Sequence, residues 1–194
     1  VSPGEKIAIV GPTGSGKSTT AALLRRFYDP ISGQVCIDGH DLRTLSQDSI
    51  GRHVSMVLQE PFLFSGTIFE NIRYASVTKN AADVERAAQV VGAHDFIARL
   101  PDGYQFVLDQ GGGNLSLGQR QLLSFARALV ADTRILVLDE ATANVDSYSE
   151  RKIQRALNIL LEGRTAIVIA HRLATIRDCD RILVLNHGRL VEEG

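Results

Sequence analysis

The sequence predicts an α/β domain with a mostly parallel sheet and an inserted α-helical subdomain. Short apolar segments rich in β-branched residues recur along the chain, and helical patterns separate them, as is typical of a parallel sheet covered by helices. Between about residues 61 and 131 the strand pattern disappears. We therefore predict one domain over residues 1–194, with a core formed by residues 1–60 and 132–194 and a helical subdomain formed by residues 61–131.

The predicted strands are apolar at every position, as expected of strands that are buried on both faces of a sheet. They are residues 7–10, 135–138, 166–170 and 182–185, and residues 54–57 fit as a fifth strand.

The predicted helices carry apolar residues at the spacing of one helical face. In residues 80–91 this spacing runs at i, i+3, i+4 and i+7 from Val84, and Gly92 follows as a stop. The same pattern predicts helices over residues 19–26, 117–130 and 147–161. Arg120 and Arg127 lie two turns apart, which suggests a solvated or ion-paired face, and Tyr74 is expected to be a surface or packing residue.

Composition narrows the possible partners and cellular setting. The chain has 21 basic and 22 acidic residues and a net charge of −1, so no basic face predicts a nucleic-acid partner. Two cysteines, Cys36 and Cys179, form no disulfide framework and favour a reducing environment. The longest apolar run, residues 166–170, is far shorter than the roughly 18–20 residues of a membrane span. The chain begins without methionine, and we expect it to be a piece of a longer protein.

A glycine-rich segment lies between the first predicted strand and the first predicted helix. It fits G-x-x-x-x-G-K-[S/T], in which glycines let backbone N–H groups turn toward an anion and the helix N-terminus adds its positive dipole. We expect Lys17 at the β- and γ-phosphates and Ser18 as a ligand of Mg²⁺. The sequence therefore predicts a P-loop NTPase core that binds a nucleoside triphosphate. The predicted phosphate-binding residues are Gly11, Pro12, Thr13, Gly14, Ser15, Gly16, Lys17, Ser18 and Thr19.

Two carboxylates end the predicted strand at residues 135–138. Ligands bind at the carboxyl ends of strands in open α/β sheets, so Asp139 is placed to hold Mg²⁺, directly or through water. Glu140 could orient and deprotonate an attacking water. The two residues alone leave open a simpler role, in which they form a polar strand end that caps the next turn.

A second candidate anion site begins the predicted helix at residues 117–130. Ser116 and Gln119 have the spacing of a capping box, which by itself indicates ordinary helix initiation. A helix N-terminus with a hydroxyl and the nearby Gly118 also favours anion binding, so both interpretations stay open at this point.

Taken together, these segments resemble the nucleotide-binding domain of ATP-binding cassette (ABC) transporters, and more narrowly its multidrug and lipid exporter branch. The resemblance covers essentially the whole chain in order, and residues 115–119 are its most family-specific part. Residues 64–72 and 169–176 are similar to exporter segments. The resemblance to the whole family rests on the P-loop, Gln59, residues 115–119, Asp139 with Glu140, residues 143–146, and His171.

The resemblance implies a role for each matching residue. Lys17 and the backbone of residues 14–19 hold the phosphates of ATP, and Ser18 coordinates Mg²⁺ together with Gln59. Gln59 also reports the nucleotide state to the membrane domain. Glu140 activates the attacking water, and His171 contacts the γ-phosphate and steadies the transition state.

The resemblance also implies a site shared between two domains. Ser116 and Gly118, with Leu117 and Gln119 beside them, would bind the γ-phosphate of ATP that the P-loop of a second nucleotide-binding domain holds. Asp146 would lie at the interface of this head-to-tail pair. The implied partners are thus that second domain, as a homodimer or heterodimer, and the transmembrane domain of the same transporter. The implied location is the cytoplasmic face of a membrane.

The sequence departs from the family pattern at several positions. Leu117 occupies a place that is usually glycine, which suggests a weaker shared half-site. Residues 110–114 replace a stretch that usually carries an acid and a basic charge, and Asn144 and Val145 replace a small-aliphatic pair. From the resemblance, we expect the family's N-terminal β-strand region and its adenine-stacking aromatic residue to lie upstream of this chain.

The residues alone leave other functions open. An ABC ATPase that acts on nucleic acid or ribosomes would be expected to show basic patches or inserted arms, and neither is present. A clamp that binds ATP and dimerises with weak turnover is favoured by Leu117 and opposed by Glu140 and His171. An asymmetric pair with an unlike partner is a related possibility. A kinase-like transferase is not supported, because we find no acceptor site in the sequence.

Overall fold

The structure is a computed structural model that describes residues 1–139, 147–170 and 173–194. Its strands are β1 Lys6–Val10, β2 Cys36–Ile37, β3 His40–Asp41, β4 Val54–Val57, β5 Gly66–Thr67, β6 Val107–Leu108, β7 Ile135–Asp139, β8 Thr165–Ile169, β9 Arg181–Asn186 and β10 Arg189–Glu193. Its helices are α1 Lys17–Leu24, α2 Gln47–His53, α3 Ile68–Arg73, α4 Ala81–Val90, α5 His94–Ile97, α6 Leu117–Ala131, α7 Ser147–Leu161 and α8 Leu173–Arg177. Short 3-10 helices cover Leu42–Thr44, Gly103–Gln105 and Gln110–Gly112.

The main sheet has six strands in the order β10-β9-β1-β8-β7-β4. The pairs β1–β8, β1–β9 and β7–β8 are parallel, whereas β9 and β10 form an antiparallel hairpin. Continuous burial along β1 and β8 explains their unbroken apolar sequences, because helices cover both faces of such a sheet. The predicted mixed α/β class with a mostly parallel sheet is confirmed.

The register of the sheet brings two predicted site segments to one edge. Asp139 pairs with Ile169 on one side of β8, and Ile9 pairs with the same residue on the other side. The carboxyl ends of β1 and β7 are therefore level with each other. This edge is where α/β proteins bind ligands.

The chain forms two compact units. The first comprises Val1–Met56, Thr133–Ala141 and Gly163–Gly194, and the second comprises Val57–Asp132 and Thr142–Glu162. In the first unit, one face of the sheet packs on a buried cluster of Ala21, Leu42, Ile50, Val54, Val137 and Ile169. In the second unit, α6 is the central helix and packs against α3, α4 and α7. The finer division into residues 61–131 and the rest stays a prediction.

Some elements differ from the predictions. Helix α1 begins at Lys17 rather than at residue 19, because the helix continues directly from the glycine loop. The short strands β5 and β6 pair within the region that was expected to lack strands. None of the helices in the described part of the chain combines the length and apolar character needed to cross a bilayer.

Candidate nucleotide site

The P-loop leaves β1 beside the backbone of β9. Val10 pairs with Val184, and an ideal Cβ on Gly11 would lie 2.1 Å from the carbonyl oxygen of Leu185. Since real Cβ atoms essentially never come that close to backbone, only glycine can occupy position 11 in this structure. The loop ends at Gly16, whose φ of 103° lies in the left-handed region and which serves as the N-cap of α1.

The interior of the loop carries polar groups with few protein partners. The Lys17 side chain is buried, and its Nζ donates to the carbonyl oxygens of Gly11, at 2.8 Å, and Pro12, at 3.0 Å. The Ser15 Oγ is buried and has no hydrogen-bond partner in the described part of the chain. No side chain caps the N-terminus of α1, and its first turn has no acidic residue. These donors and the helix dipole suit an anion such as a phosphate.

Ser18 and Asp139 come together beside the P-loop. The Ser18 Oγ and the Asp139 Oδ2 are 3.4 Å apart, although 121 positions separate the two residues in sequence. Adjacent ligands of octahedral Mg²⁺, each about 2.1 Å from the ion, lie roughly 3.0 Å apart. A hydroxyl and a carboxylate at this separation therefore fit the hard oxygen ligands that Mg²⁺ prefers. The structure brings these two predicted ligands together.

The other predicted metal and catalytic residues lie in the second unit or outside the described residues. Gln59 lies exposed two positions after β4 and belongs to the second unit. Glu140, Asp146 and His171 lie outside the described residues, as do Asn144 and Val145.

The start of α6 has the predicted capping box. The Ser116 Oγ accepts from the backbone N–H of Gln119 at 3.2 Å, and the Gln119 Oε1 accepts from the backbone N–H of Ser116 at 2.9 Å. Helix initiation by these two residues is therefore confirmed. Because the Ser116 hydroxyl acts as an acceptor here, its own hydrogen stays available for an external acceptor. The side chain of Leu117 is half-buried, and Gly118 is buried.

Arg120 and Arg127 do not form the solvated or ion-paired face that the sequence suggests. The Arg120 Nη1 donates to the carbonyl oxygen of Leu115 at 2.7 Å and holds the segment that leads into α6. Arg127 donates to the carbonyl oxygens of Phe62, at 3.0 Å, and Asn71, at 2.8 Å, and to the Asn71 Oδ1 at 3.0 Å. Burial lowers the pKa of Arg127.

Arg127 also organises an exposed aromatic cluster, formed by Phe62, Phe64 and Tyr74. The rings of Phe64 and Tyr74 stack with centroids 4.4 Å apart, and Phe62 meets Phe64 edge-on at 5.1 Å. The Arg127 guanidinium lies 5.5 Å from the Phe64 centroid. Tyr74 is 63% exposed and Phe62 54% exposed. Sequence reasoning missed this cluster, since α3 separates Tyr74 from the two phenylalanines and no regular spacing links the three residues.

Fold and site together define a P-loop nucleotide-binding protein of the α/β class. A family model for the ABC transporter matches residues 1–143. YknV of Bacillus subtilis (strain 168), named an uncharacterized ABC transporter ATP-binding protein, is 54% identical over 191 residues, which cover 98% of this chain and 32% of YknV. An ATP-dependent lipid A-core flippase of Syntrophus aciditrophicus (strain SB) is 48% identical, with 98% of this chain and 32% of the flippase covered.

A solved structure agrees with these relatives. It shows a bacterial Atm1-family ABC exporter with ATP bound, and it matches with a TM-score of 0.91 and 45% identity over 100% of this chain and 34% of that chain. The chain belongs to the ABC transporter family. It is a nucleotide-binding domain of this family, similar to that of a solved exporter, and domains of this family are ATPases. The chain spans about a third of the length of each of these three proteins.

Proposed function

We propose that this chain is the ATP-driven motor of an exporter, with ATP held at residues 11–19. The observation that carries this proposal is the pairing of Ser18 and Asp139 at the mouth of the P-loop, 3.4 Å apart. A phosphate site and a cation site that share one sheet edge are what hydrolysis of a nucleoside triphosphate requires. The exporter relatives supply the transport part of the proposal.

Mg²⁺ would be held by Ser18, Asp139 and Gln59. When bound, this ion neutralises negative charge on the phosphates. The fit of the ion is supported by the oxygen ligands of Ser18 and Asp139, and the fit of the phosphates by the buried Ser15 Oγ and Lys17 side chain in the same loop. Lys17 would exchange its bonds to Gly11 and Pro12 for bonds to phosphate oxygens.

The catalytic groups would be Glu140, His171 and Gln59. Glu140 follows β7 directly in sequence, and His171 lies two positions after the end of β8. These two strands are parallel neighbours, so their carboxyl ends open on the edge that carries Ser18 and Asp139. Glu140 would accept the proton of the attacking water, and His171 would stabilise charge on the γ-phosphate.

A second nucleotide-binding domain would complete the site. Ser116, Leu117, Gly118 and Gln119 at the start of α6 would bind the γ-phosphate of ATP on the partner's P-loop, and Asp146 would line the seam. The proposal is supported by the capping box, which leaves the Ser116 hydroxyl hydrogen available. Loss of the γ-phosphate would remove contacts across the seam and separate the two domains.

The exposed aromatic cluster would face the membrane-spanning domain of the exporter. The flippase of Syntrophus aciditrophicus and the ATP-bound exporter are each about three times as long as this chain. Phe62, Phe64 and Tyr74 form an exposed patch of rigid rings, the residue type enriched where proteins bind each other. This arrangement would place the domain at the cytoplasmic face of the membrane.

A second candidate is a clamp that binds ATP and dimerises with weak turnover. Leu117 favours it, because its half-buried side chain occupies the first position of α6, where the proposed γ-phosphate contact lies. A branched side chain there adds bulk beside the backbone donors.

Replacing Glu140 with Gln in the full chain tests the motor against the clamp. We expect turnover to fall by roughly 10²–10⁴ while ATP affinity is kept, because Gln keeps the shape but cannot accept the proton. The measurements are phosphate release and equilibrium ATP binding. Turnover that survives the change would exclude Glu140 as the base, and a wild type with negligible turnover would favour the clamp.

A further inference from the structure

The turn between β9 and β10 contacts the outer side of the P-loop. The backbone N–H of Gly188 donates to the carbonyl oxygen of Ser15 at 2.9 Å. An ideal Cβ on Gly16 would lie 3.5 Å from the Cα of Gly188, an ordinary van der Waals distance, so the turn lies close beside this part of the loop. All of these residues belong to the first unit. The catalytic roles proposed above do not use this turn.

The hydrogen bond fixes the orientation of one peptide group in the P-loop. A trans peptide unit is planar, so its C=O and its N–H point in opposite directions. The Ser15 carbonyl points at the turn, and the N–H of Gly16 in the same peptide unit therefore points away from it. In a glycine-rich phosphate cradle, such N–H groups are the donors to the anion.

We propose that Gly188 is a positioning residue for the phosphate site. It would touch no nucleotide itself, and would act by holding the Ser15–Gly16 peptide with its N–H aimed at the phosphates before ATP arrives. An unbraced peptide could rotate and would have to be ordered on binding, which lowers affinity. This proposal rests on the proposed assignment of residues 11–19 as the phosphate site.

The turn requires positive φ angles, which few residue types adopt. His187 has a φ of 47° and Gly188 a φ of 74°, the left-handed values of a two-residue hairpin turn of the I′ type. A β-branched residue at position 188 would be strained there and would move the N–H away from Ser15.

The chain contains a matched control for this strain. The turn between β2 and β3 has Asp38 at φ 49° and Gly39 at φ 78°, nearly the same conformation. Neither Gly39 nor Gly188 has any atom within 4 Å of an ideal Cβ. A substitution at either glycine therefore adds similar backbone strain without a clash, and only Gly188 is bonded to the P-loop.

The test compares Gly188→Val with Gly39→Val in the full chain. The measurements are the dissociation constants of ATP with Mg²⁺ and of ADP, and the melting temperature without nucleotide. We expect both variants to melt at similarly lowered temperatures. Gly188→Val should bind both nucleotides about tenfold more weakly, the equivalent of ~1.4 kcal/mol, whereas Gly39→Val should stay within about twofold of the wild type. If Gly188 had only a structural role, the dissociation constants of both variants would change alike.

Equal affinities of the two valine variants would overturn the proposal. If either valine variant fails to fold, Gly188→Ala and Gly39→Ala provide a milder pair, with about threefold weaker binding expected for the first variant alone. Equal binding by the alanine pair would likewise count against it. Lys17→Ala tests the phosphate-site assignment separately. If ATP binding survives that change, the P-loop assignment is wrong, and the role of Gly188 is overturned with it.

Discussion

Arg120 and Arg127 donate to backbone carbonyls around α6, and neither forms an ion pair with an acidic side chain among the described residues. Arg127 is half-buried, and its guanidinium joins the segment at Phe62 to the end of α3 at Asn71. Arginine suits this role because its planar fork presents several donors in fixed directions. The aromatic cluster therefore depends on a polar residue beneath it.

Replacing Arg127 with Met should destabilise the protein by about 2–4 kcal/mol. The methionine fills part of the volume but leaves the carbonyl oxygens of Phe62 and Asn71 without their charged donor. The free energy of unfolding in urea is the measurement. Arg86→Met on α4 is the control, because the side chain of Arg86 is 70% exposed and its ion pair with Asp83 at 3.5 Å should contribute under about 1 kcal/mol. Equal losses for the two variants would contradict the assigned role of Arg127.

At the scale of elements, continuous apolar segments predicted the parallel strands well. The sequences of β1, β7 and β8 are apolar at nearly every position, and burial on both faces requires that composition. By contrast, β10 is exposed throughout and rich in charged residues, so it carries no such pattern. Its pairing depends on the positive φ angles of His187 and Gly188, which a hydrophobic pattern does not record.

For the candidate site, too, the sequence predicted some features and missed others. The P-loop and the start of α6 are continuous motifs, and the sequence predicted their local structure. The approach of Ser18 to Asp139 follows from motif and sheet order together. The hydrogen bond from Gly188 and those from Arg127 join distant segments, and each is accepted by a backbone carbonyl. Since every residue has a backbone carbonyl, the sequence does not indicate which carbonyls accept these bonds.

The start of α6 gives a prediction about Leu117. Leu117→Gly, made together with Glu140→Gln to prevent turnover, should lower the ATP concentration needed for dimerisation by about threefold or more, because backbone donors are freed of a branched side chain. Analytical ultracentrifugation across an ATP titration measures this. Leu117→Ala separates bulk from backbone freedom, since alanine removes the bulk and keeps the helix propensity. Ser116→Ala should weaken the dimer, and unchanged dimerisation in all three variants would exclude α6 from the seam.

For the whole molecule, the proposed contact between the aromatic cluster and a membrane-spanning domain leads to a prediction about accessibility. Tyr74 and Val107 are each 63% exposed and belong to the same unit, but only Tyr74 is part of the cluster. Tyr74→Cys and Val107→Cys are therefore a matched pair for thiol labelling in the full-length protein. Its native cysteines, Cys36 and Cys179 among them, are first replaced by serine.

We expect a maleimide to label Tyr74→Cys about tenfold more slowly than Val107→Cys, because a buried thiol is shielded from the reagent. The two thiols have similar exposure in the domain itself, so a difference in rate would come from what covers the cluster in the complete transporter. Denaturing the protein should bring the two rates together, which controls for the intrinsic reactivity of each thiol. Equal rates in the folded full-length protein would mean that the membrane-spanning domain lies elsewhere, and the aromatic cluster would then lose its proposed role.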